Sequence, residues 1–340
     1  MSDFSTHSYV LNKKLDLNVR RSQGIYFTPT TITNYIVKFI KKYTEKNNLH
    51  IAHFIEPSCG SGEFLNTIEQ NFPDVKITGI ENNIDICNYM NGLGKNIIHA
   101  DYLTIDLKSE IETNDQKLEL DDIKLKREVD ESIKIIIGNP PYFVMKKQDV
   151  VEKYADLYST YRDILTGRPN IFIYFILKSM SILDIGDILS FVLPNNFMTC
   201  VYYSKIRMYI AKNYKILDLV DCNTICGTNF RDTKQETFIF TVQKVDYTNE
   251  LNSQYIIDDS FIFANDIDNI NKLYVDSISL MEIPHNIQVG NIVWNQVKEY
   301  LSNEVRNEIK DEVIDKKNIR LIYGEDITDD HKISKYRIQE

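Results

Sequence analysis

The chain has 340 residues, 43% of them hydrophobic, and a formal net charge of −10, so it can bury a large core and should hold one big domain plus a smaller one. No run of about 18 or more apolar residues occurs, which excludes a helical membrane span. The acidic balance argues against a protein coating DNA along a broad basic face, while leaving room for a local basic cleft.

In chain order, Met1 to Thr6 lacks the basic start and apolar core of a signal peptide. A cytoplasmic protein is expected, in the host cytosol if the source is a virus. Arg20 to Gly24 is polar. Thr31 to Tyr43 then places Ile32, Tyr35, Ile36, Phe39 and Ile40 on one helical face. His53 to Glu56, Phe64 to Phe72, Lys76 to Glu81 and Ile97 to Ala100 alternate short apolar runs with amphipathic stretches, the rhythm of a doubly wound, mostly parallel α/β sheet. Residues 105 to 133 hold ten Asp/Glu and five Lys/Arg, a solvated, partly helical insertion with no catalytic role.

The run Ile133 to Ile137 reads as a buried parallel strand. Lys146 to Leu165 looks helical and polar, Asn170 to Leu183 is a strongly apolar helix, and Gly186 to Leu193 is a strand. Lys205 to Asn213 (helix), Ile216 to Asp221 and Glu236 to Lys244 (strands) complete the block. The polar stretch Asn249 to Ser253 marks a boundary near residue 250, so residues 1–250 form the larger domain and 251–340 a less regular one. The five cysteines are scattered; Cys222 and Cys226, the one close pair, have no second pair or nearby His to complete a zinc set, so reduced thiols and no metal are expected.

Asn139-Pro140-Pro141-Tyr142 follows the Ile133–Ile137 run directly, at a strand's carboxyl end, where open α/β sheets bind ligands. Two prolines fix two φ angles and remove two N–H donors, so the loop is stiff. The Asn139 side-chain carbonyl and the Pro140 carbonyl can face one point, with the Tyr142 ring beside them. Such a set suits a planar substrate carrying an amino group; the plain alternative is a rigid loop after a core strand.

Upstream, Phe54 to Leu65 (FIEPSCGSGEFL) is a strand, a glycine turn and a helix start. Gly60 and Gly62 permit close backbone approach to a ligand, with Ser58 in the same turn. Glu56 offers a carboxylate to a cationic group. Glu81, 19 residues past Gly62, ends the next strand, where a ribose hydroxyl pair would bond it. Asp101 ends a third strand and could accept from an adenine amino group, with Tyr102 or Leu103 against the ring. Taken singly, Glu81 and Asp101 read equally as helix N-caps. A longer glycine pattern for a dinucleotide and a Gly-Lys-Ser/Thr loop for a triphosphate are both absent from the sequence.

Together these segments resemble the amino-group, S-adenosylmethionine-dependent methyltransferases, whose catalytic loop is Asn-Pro-Pro-Tyr. The upstream Gly24 to Pro29 segment is similar to one that precedes the cofactor strand in adenine-N6 DNA methyltransferases of gamma motif order. There the position of Thr28 contacts the methionine carboxylate. Phe230, ahead of the strand Thr237 to Val242, matches the family's aromatic that stacks on the target base. The resemblance spans roughly residues 20 to 245 and implies a Rossmann-like fold with S-adenosylmethionine as cofactor and S-adenosylhomocysteine as product. It further implies catalysis by Asn139, Pro140 and Tyr142, and duplex DNA as partner with the adenine flipped out between Tyr142 and Phe230. A restriction–modification context is expected.

Protein-glutamine or RNA-adenine methyltransferases share the tetrapeptide and are the rival enzymes. A catalytically inactive DNA-binding specificity subunit is the rival of another class, and the intact Asn139–Tyr142 and Gly60/Gly62 argue against it. Val289 to Gln296 resembles the opening of a target-recognition region. Residues 251–340 are short for one, so either the chain is truncated or a second polypeptide completes it.

Overall fold

The computed structural model describes residues 4–107, 132–165, 170–226, 236–246, 254–257, 262–274, 301–306, 319–321 and 336–339. Most of the acidic insertion, Phe230 and Val289 to Gln296 lie outside them. By packing, the chain divides into two units, Met1–Leu273 and Tyr274–Glu340.

The first unit is built on a seven-stranded sheet. Its strands are β1 (His50–Glu56), β2 (Lys76–Glu81), β3 (Ile97–His99), β4 (Ser132–Gly138), β5 (Ile188–Pro194), β6 (Tyr214–Asp221) and β7 (Thr237–Lys244), in the order β3-β2-β1-β4-β5-β7-β6. All neighbours pair in parallel except β7, which runs antiparallel to both β5 and β6. This is the Rossmann-like α/β architecture expected. The strand order reverses between β1 and β4, and crevices at such a switch point are where ligands bind.

Side-chain alternation along the central strands feeds two cores. Ile133, Ile135 and Ile137 of β4 join Phe54 of β1 and helix α3 (Thr30–Lys46) through Ile32, Ile36 and Ile40. Ile136 and Ile55 point the other way, into a larger cluster with Phe172, Ile173 and Ile176 of the apolar helix Ile171–Ile182. These isoleucines and phenylalanines are all buried, each contributing about 1.5–3 kcal/mol relative to exposure.

Three regions depart from expectation. Two helices precede α3: α1 (Thr6–Lys14) and α2 (Leu17–Gln23), the latter covering the stretch read as polar chain. Lys146 to Leu165 forms two short helices, Lys147–Lys153 and Ala155–Thr160, meeting at Tyr154, whose φ of −126° and ψ of 42° interrupt the helix. This pair buries Val150, Tyr154, Leu157 and Tyr161 in the larger core. Beyond residue 250, short strands β8 (Ile256–Ile257) and β9 (Ile262–Phe263) pair antiparallel. Phe263 stacks on Phe240 of β7 with ring centroids 6.2 Å apart, which carries the compact unit past residue 250. In the second unit, β10 (Leu301–Arg306), β11 (Ile319–Leu321) and β12 (Tyr336–Gln339) form an antiparallel sheet with β12 central. Among the described residues no helix is long and apolar enough to cross a membrane.

Candidate active site

The carboxyl ends of β1, β2, β3 and β4 surround a cavity of about 310 Å³, within the range usual for small-molecule sites. Ser58, Gly60, Glu81, Asp101, Tyr102 and Asn139 line it, together with an apolar wall that includes Phe143, Met145, Ile171 and Phe175. A smaller recess shares Ser58, Gly60 and Asn139 with it and adds Thr28 and Glu56. Eight of the sequence-predicted residues therefore line these two adjoining spaces, whereas Pro140, Tyr142 and Gly62 line neither.

Gly60 has a φ of +50°, which glycine adopts without penalty. That turn aims its N–H at Glu81 Oε2, 3.0 Å away, while the Asn83 N–H reaches Oε1 at 2.8 Å. Burial raises the Glu81 carboxyl above its ordinary range, and these N–H groups oppose the shift. Gly62 stands behind the turn as the cap of helix α4 (Glu63–Asn71), against Met90 rather than the cavity.

Glu56 is buried, and its Oε2 has no hydrogen-bond partner among the described residues. Burial first, and then the neighbouring Glu63, push its carboxyl well above the ordinary range. Glu63 itself accepts from Ser5 at 2.7 Å and also from Ser8 and Ser61, so helix α1 is tied to the glycine turn. A buried carboxylate with a free oxygen beside a second carboxylate favours a cation.

Asn139 is held from three sides. Its Nδ2 donates to Thr28 Oγ1 at 3.1 Å, its Oδ1 accepts from the Tyr142 hydroxyl, and its backbone carbonyl accepts from Ser58 Oγ at 3.2 Å. The Tyr142 hydroxyl also lies 2.7 Å from the Val192 carbonyl of β5, and its ring meets Phe172 edge-on at 6.1 Å. Burial raises the phenol well above its ordinary value, so the hydroxyl keeps its proton. Ser58, expected among the cofactor contacts, thus also braces the Asn139 backbone. Tyr102 is almost wholly core: its hydroxyl pairs with Ser179 at 2.9 Å and its ring stacks on Phe175.

Sequence reasoning missed Gln23, Lys153 and Tyr154 among the residues of this space, and the packing role of Gly24. Gly24, with a φ of +64°, ends α2 against the Asn139 loop; a Cβ there would lie 2.9 Å from Tyr142 N and 3.0 Å from Pro141 Cβ. The Gln23 side-chain oxygen accepts from Asn83 Nδ2 at 2.9 Å across the cavity rim. Lys153 and Tyr154 reach Asp101 from the interrupted helix pair. The positive φ at Gly24 is the one signal a sequence could offer, as glycine after a helix.

Residues 80–225 match the family model described as Eco57I restriction-modification methylase. Modification methylase CviBIII of Paramecium bursaria Chlorella virus NC1A is 27% identical over 221 residues, 64% of this chain and 50% of that protein. Type II methyltransferase M.CvrRI of Paramecium bursaria Chlorella virus XZ-6E is 25% identical over 250 residues, 72% of this chain and 54% of that one. The chain is similar to restriction–modification methyltransferases. It spans about half the length of these two relatives. Among solved structures, the type IIG restriction endonuclease BpuSI aligns with a TM-score of 0.50 at 15% identity, over 71% of this chain and 27% of that one, a likeness of fold.

Proposed function

We propose that this chain transfers a methyl group from S-adenosylmethionine to the N6 amino group of an adenine flipped out of duplex DNA. The observation that carries the proposal is that Asn139, the first residue of the Asn-Pro-Pro-Tyr loop, lines the same cavity as Gly60, Glu81 and Asp101. One space thus holds an amide that can accept from an amino group and the acids of a nucleoside site.

The cavity suits the cofactor on its own chemistry. Glu56 Oε2, without a partner among the described residues, would hold the ammonium, Thr28 the carboxylate, Glu81 the ribose hydroxyls and Asp101 the adenine amino group. When bound, the cofactor supplies an electrophilic sulfonium methyl group.

The residues of the chain then have defined tasks. An adenine amino nitrogen is a poor nucleophile because its lone pair is delocalised into the ring. Asn139 Oδ1 and the Pro140 carbonyl, each accepting one N–H, draw that nitrogen towards tetrahedral geometry and turn its lone pair into the cavity. Oδ1 carries two lone pairs, so it can accept from the substrate while Tyr142 occupies the other. Catalysis comes from positioning and oriented dipoles, and the proton leaves after transfer. Because the target atom is inaccessible within a duplex, the base must leave the stack. Tyr142 would hold one face and Phe230 the other, at roughly 1–3 kcal/mol per stacked base.

We further propose that residues 251–340 supply part of a target-reading surface that a second polypeptide completes. The test of the whole reading is labelled-methyl transfer to duplex DNA followed by nucleoside analysis. N6-methyladenine is expected; label on protein glutamine or RNA in preference to DNA adenine would overturn it.

A further inference from the structure

Asp101 is more constrained than a simple cavity wall. Its Oδ1 accepts the Leu103 N–H at 3.1 Å, while Oδ2 accepts from the Tyr154 hydroxyl at 3.1 Å and pairs with Lys153 Nζ at 2.7 Å. A carboxylate has about four lone-pair positions, so these three contacts leave one, on Oδ1. All three side chains line the cavity. The Asp101 side chain is 17% exposed and that of Lys153 53%, while Tyr154 is buried in the larger core. The arrangement is therefore half-shielded and has a rigid third member, unlike an ion pair free in solvent, which contributes little. The Lys153 ammonium loses some stability to burial, but Asp101 and Tyr154 more than restore it and hold its charge.

We propose that Lys153 and Tyr154 are positioning residues that fix Asp101 as an acceptor, so that this end of the cavity selects a 6-aminopurine nucleoside over a 6-oxopurine one. This rests on the cofactor reading above. An amino group donates to the one open lone pair. A 6-oxo group would bring an acceptor against an acceptor with no proton between them, which leaves both unpaired and desolvated. Selectivity of this kind needs the carboxylate to be unable to turn. Lys153 provides that through charge and Tyr154 through its fixed hydroxyl. The device also explains why the chain returns after the Asn139 loop as two short helices: the break at Tyr154 carries both side chains to the end of β3.

The test is titration calorimetry of the full chain with S-adenosylhomocysteine and with its 6-oxo counterpart, S-inosylhomocysteine. Wild type should prefer the amino compound by roughly tenfold or more, the scale of a charged hydrogen bond. Lys153→Met should weaken the amino compound about fivefold, the scale of a half-exposed ion pair, and narrow the preference. Lys153→Arg should restore both values, and Asp101→Asn, whose amide can donate, should remove the preference. Tyr154→Phe keeps the ring in the core and should narrow the preference less than Lys153→Met. A purely structural role would weaken both compounds alike, so an unchanged ratio in Lys153→Met overturns the inference and leaves the cofactor reading standing. Failure of wild type to bind S-adenosylhomocysteine overturns both.

Discussion

The recess around Glu56 and the loop around Asn139 share walls but dispose of their polar atoms in opposite ways. Glu56 keeps a buried oxygen without a partner beside a second carboxylate, a costly arrangement in the free protein. Asn139 has both ends of its amide and its backbone carbonyl engaged by Thr28, Tyr142 and Ser58. One end is incomplete until a cation arrives; the other is locked in advance and offers its second lone pair to its substrate. The contrast fits a site in which cofactor binding relieves an unsatisfied charge, whereas the amino group meets a group already locked in place. Pre-orientation of that kind is what positioning catalysis requires.

The most severe way to break this contrast is Asn139→Ala. It deletes one of two proposed acceptors on the reacting nitrogen, and removing one preorganised group typically costs ~2.7–4 kcal/mol of transition-state stabilisation. Methyl transfer measured with labelled cofactor should fall by that factor while calorimetry shows cofactor affinity largely intact. Near-normal turnover would contradict the mechanism. Next in size is Glu56→Gln, expected to weaken cofactor binding by ~1.5–3 kcal/mol, as for a lost charged hydrogen bond. Its pH signature is distinct. In the free protein burial and Glu63 hold the Glu56 carboxyl high, and pairing with an ammonium brings it down. Binding therefore releases a proton between the two values, and affinity rises with pH across that interval and flattens above it. Calorimetry at a series of pH values, in buffers of differing ionisation enthalpy, checks the sign; the slope should vanish in Glu56→Gln. Proton uptake on binding would contradict the assignment.

Much of this architecture is legible in the sequence because its strands are long apolar runs. Ile133 to Ile137 and Leu189 to Leu193 leave little choice but a buried sheet, and the acids at the ends of β1, β2 and β3 follow from the strand positions. What escaped has physical reasons. Helix α2 exposes Leu17 and Val19 at 45% and 36%, so it has no apolar face to read. Its signals are the caps: Asp16 Oδ1 accepts the Asn18 N–H at 2.7 Å, and Gly24 ends it in the left-handed region. Lys153 sits in a stretch that reads as a solvated helix, and only the break at Tyr154 turns it towards Asp101. Tyr102, read with Leu103 as a candidate wall for a ligand ring, lines the cavity with its hydroxyl bonded to Ser179 in the core.

The smallest expected effects separate the two functions assigned to Tyr142. Tyr142→Ala removes the ring, so capture of the flipped base should suffer by about 1–3 kcal/mol. A mismatch opposite the target adenine should partly rescue it, because less unpairing energy is then required. Tyr142→Phe keeps the ring and deletes only the hydroxyl that tethers Asn139 and reaches Val192. The loss of one neutral hydrogen bond is worth about 0.5–1.5 kcal/mol. It should appear in kcat, because Asn139 is then free to turn, with little change in KM for DNA, because the stacking surface is intact. If the Asn139 end is completed in advance as the hydrogen bonds indicate, kcat in Tyr142→Phe falls severalfold and cofactor affinity stays constant. If kcat is unchanged, the tether plays no part in the reacting complex, and the rigidity of Asn139 must come from Thr28 and Ser58 alone. Thr28→Val and Ser58→Ala in the Tyr142→Phe background would then carry the whole loss, which a double-mutant cycle measures directly.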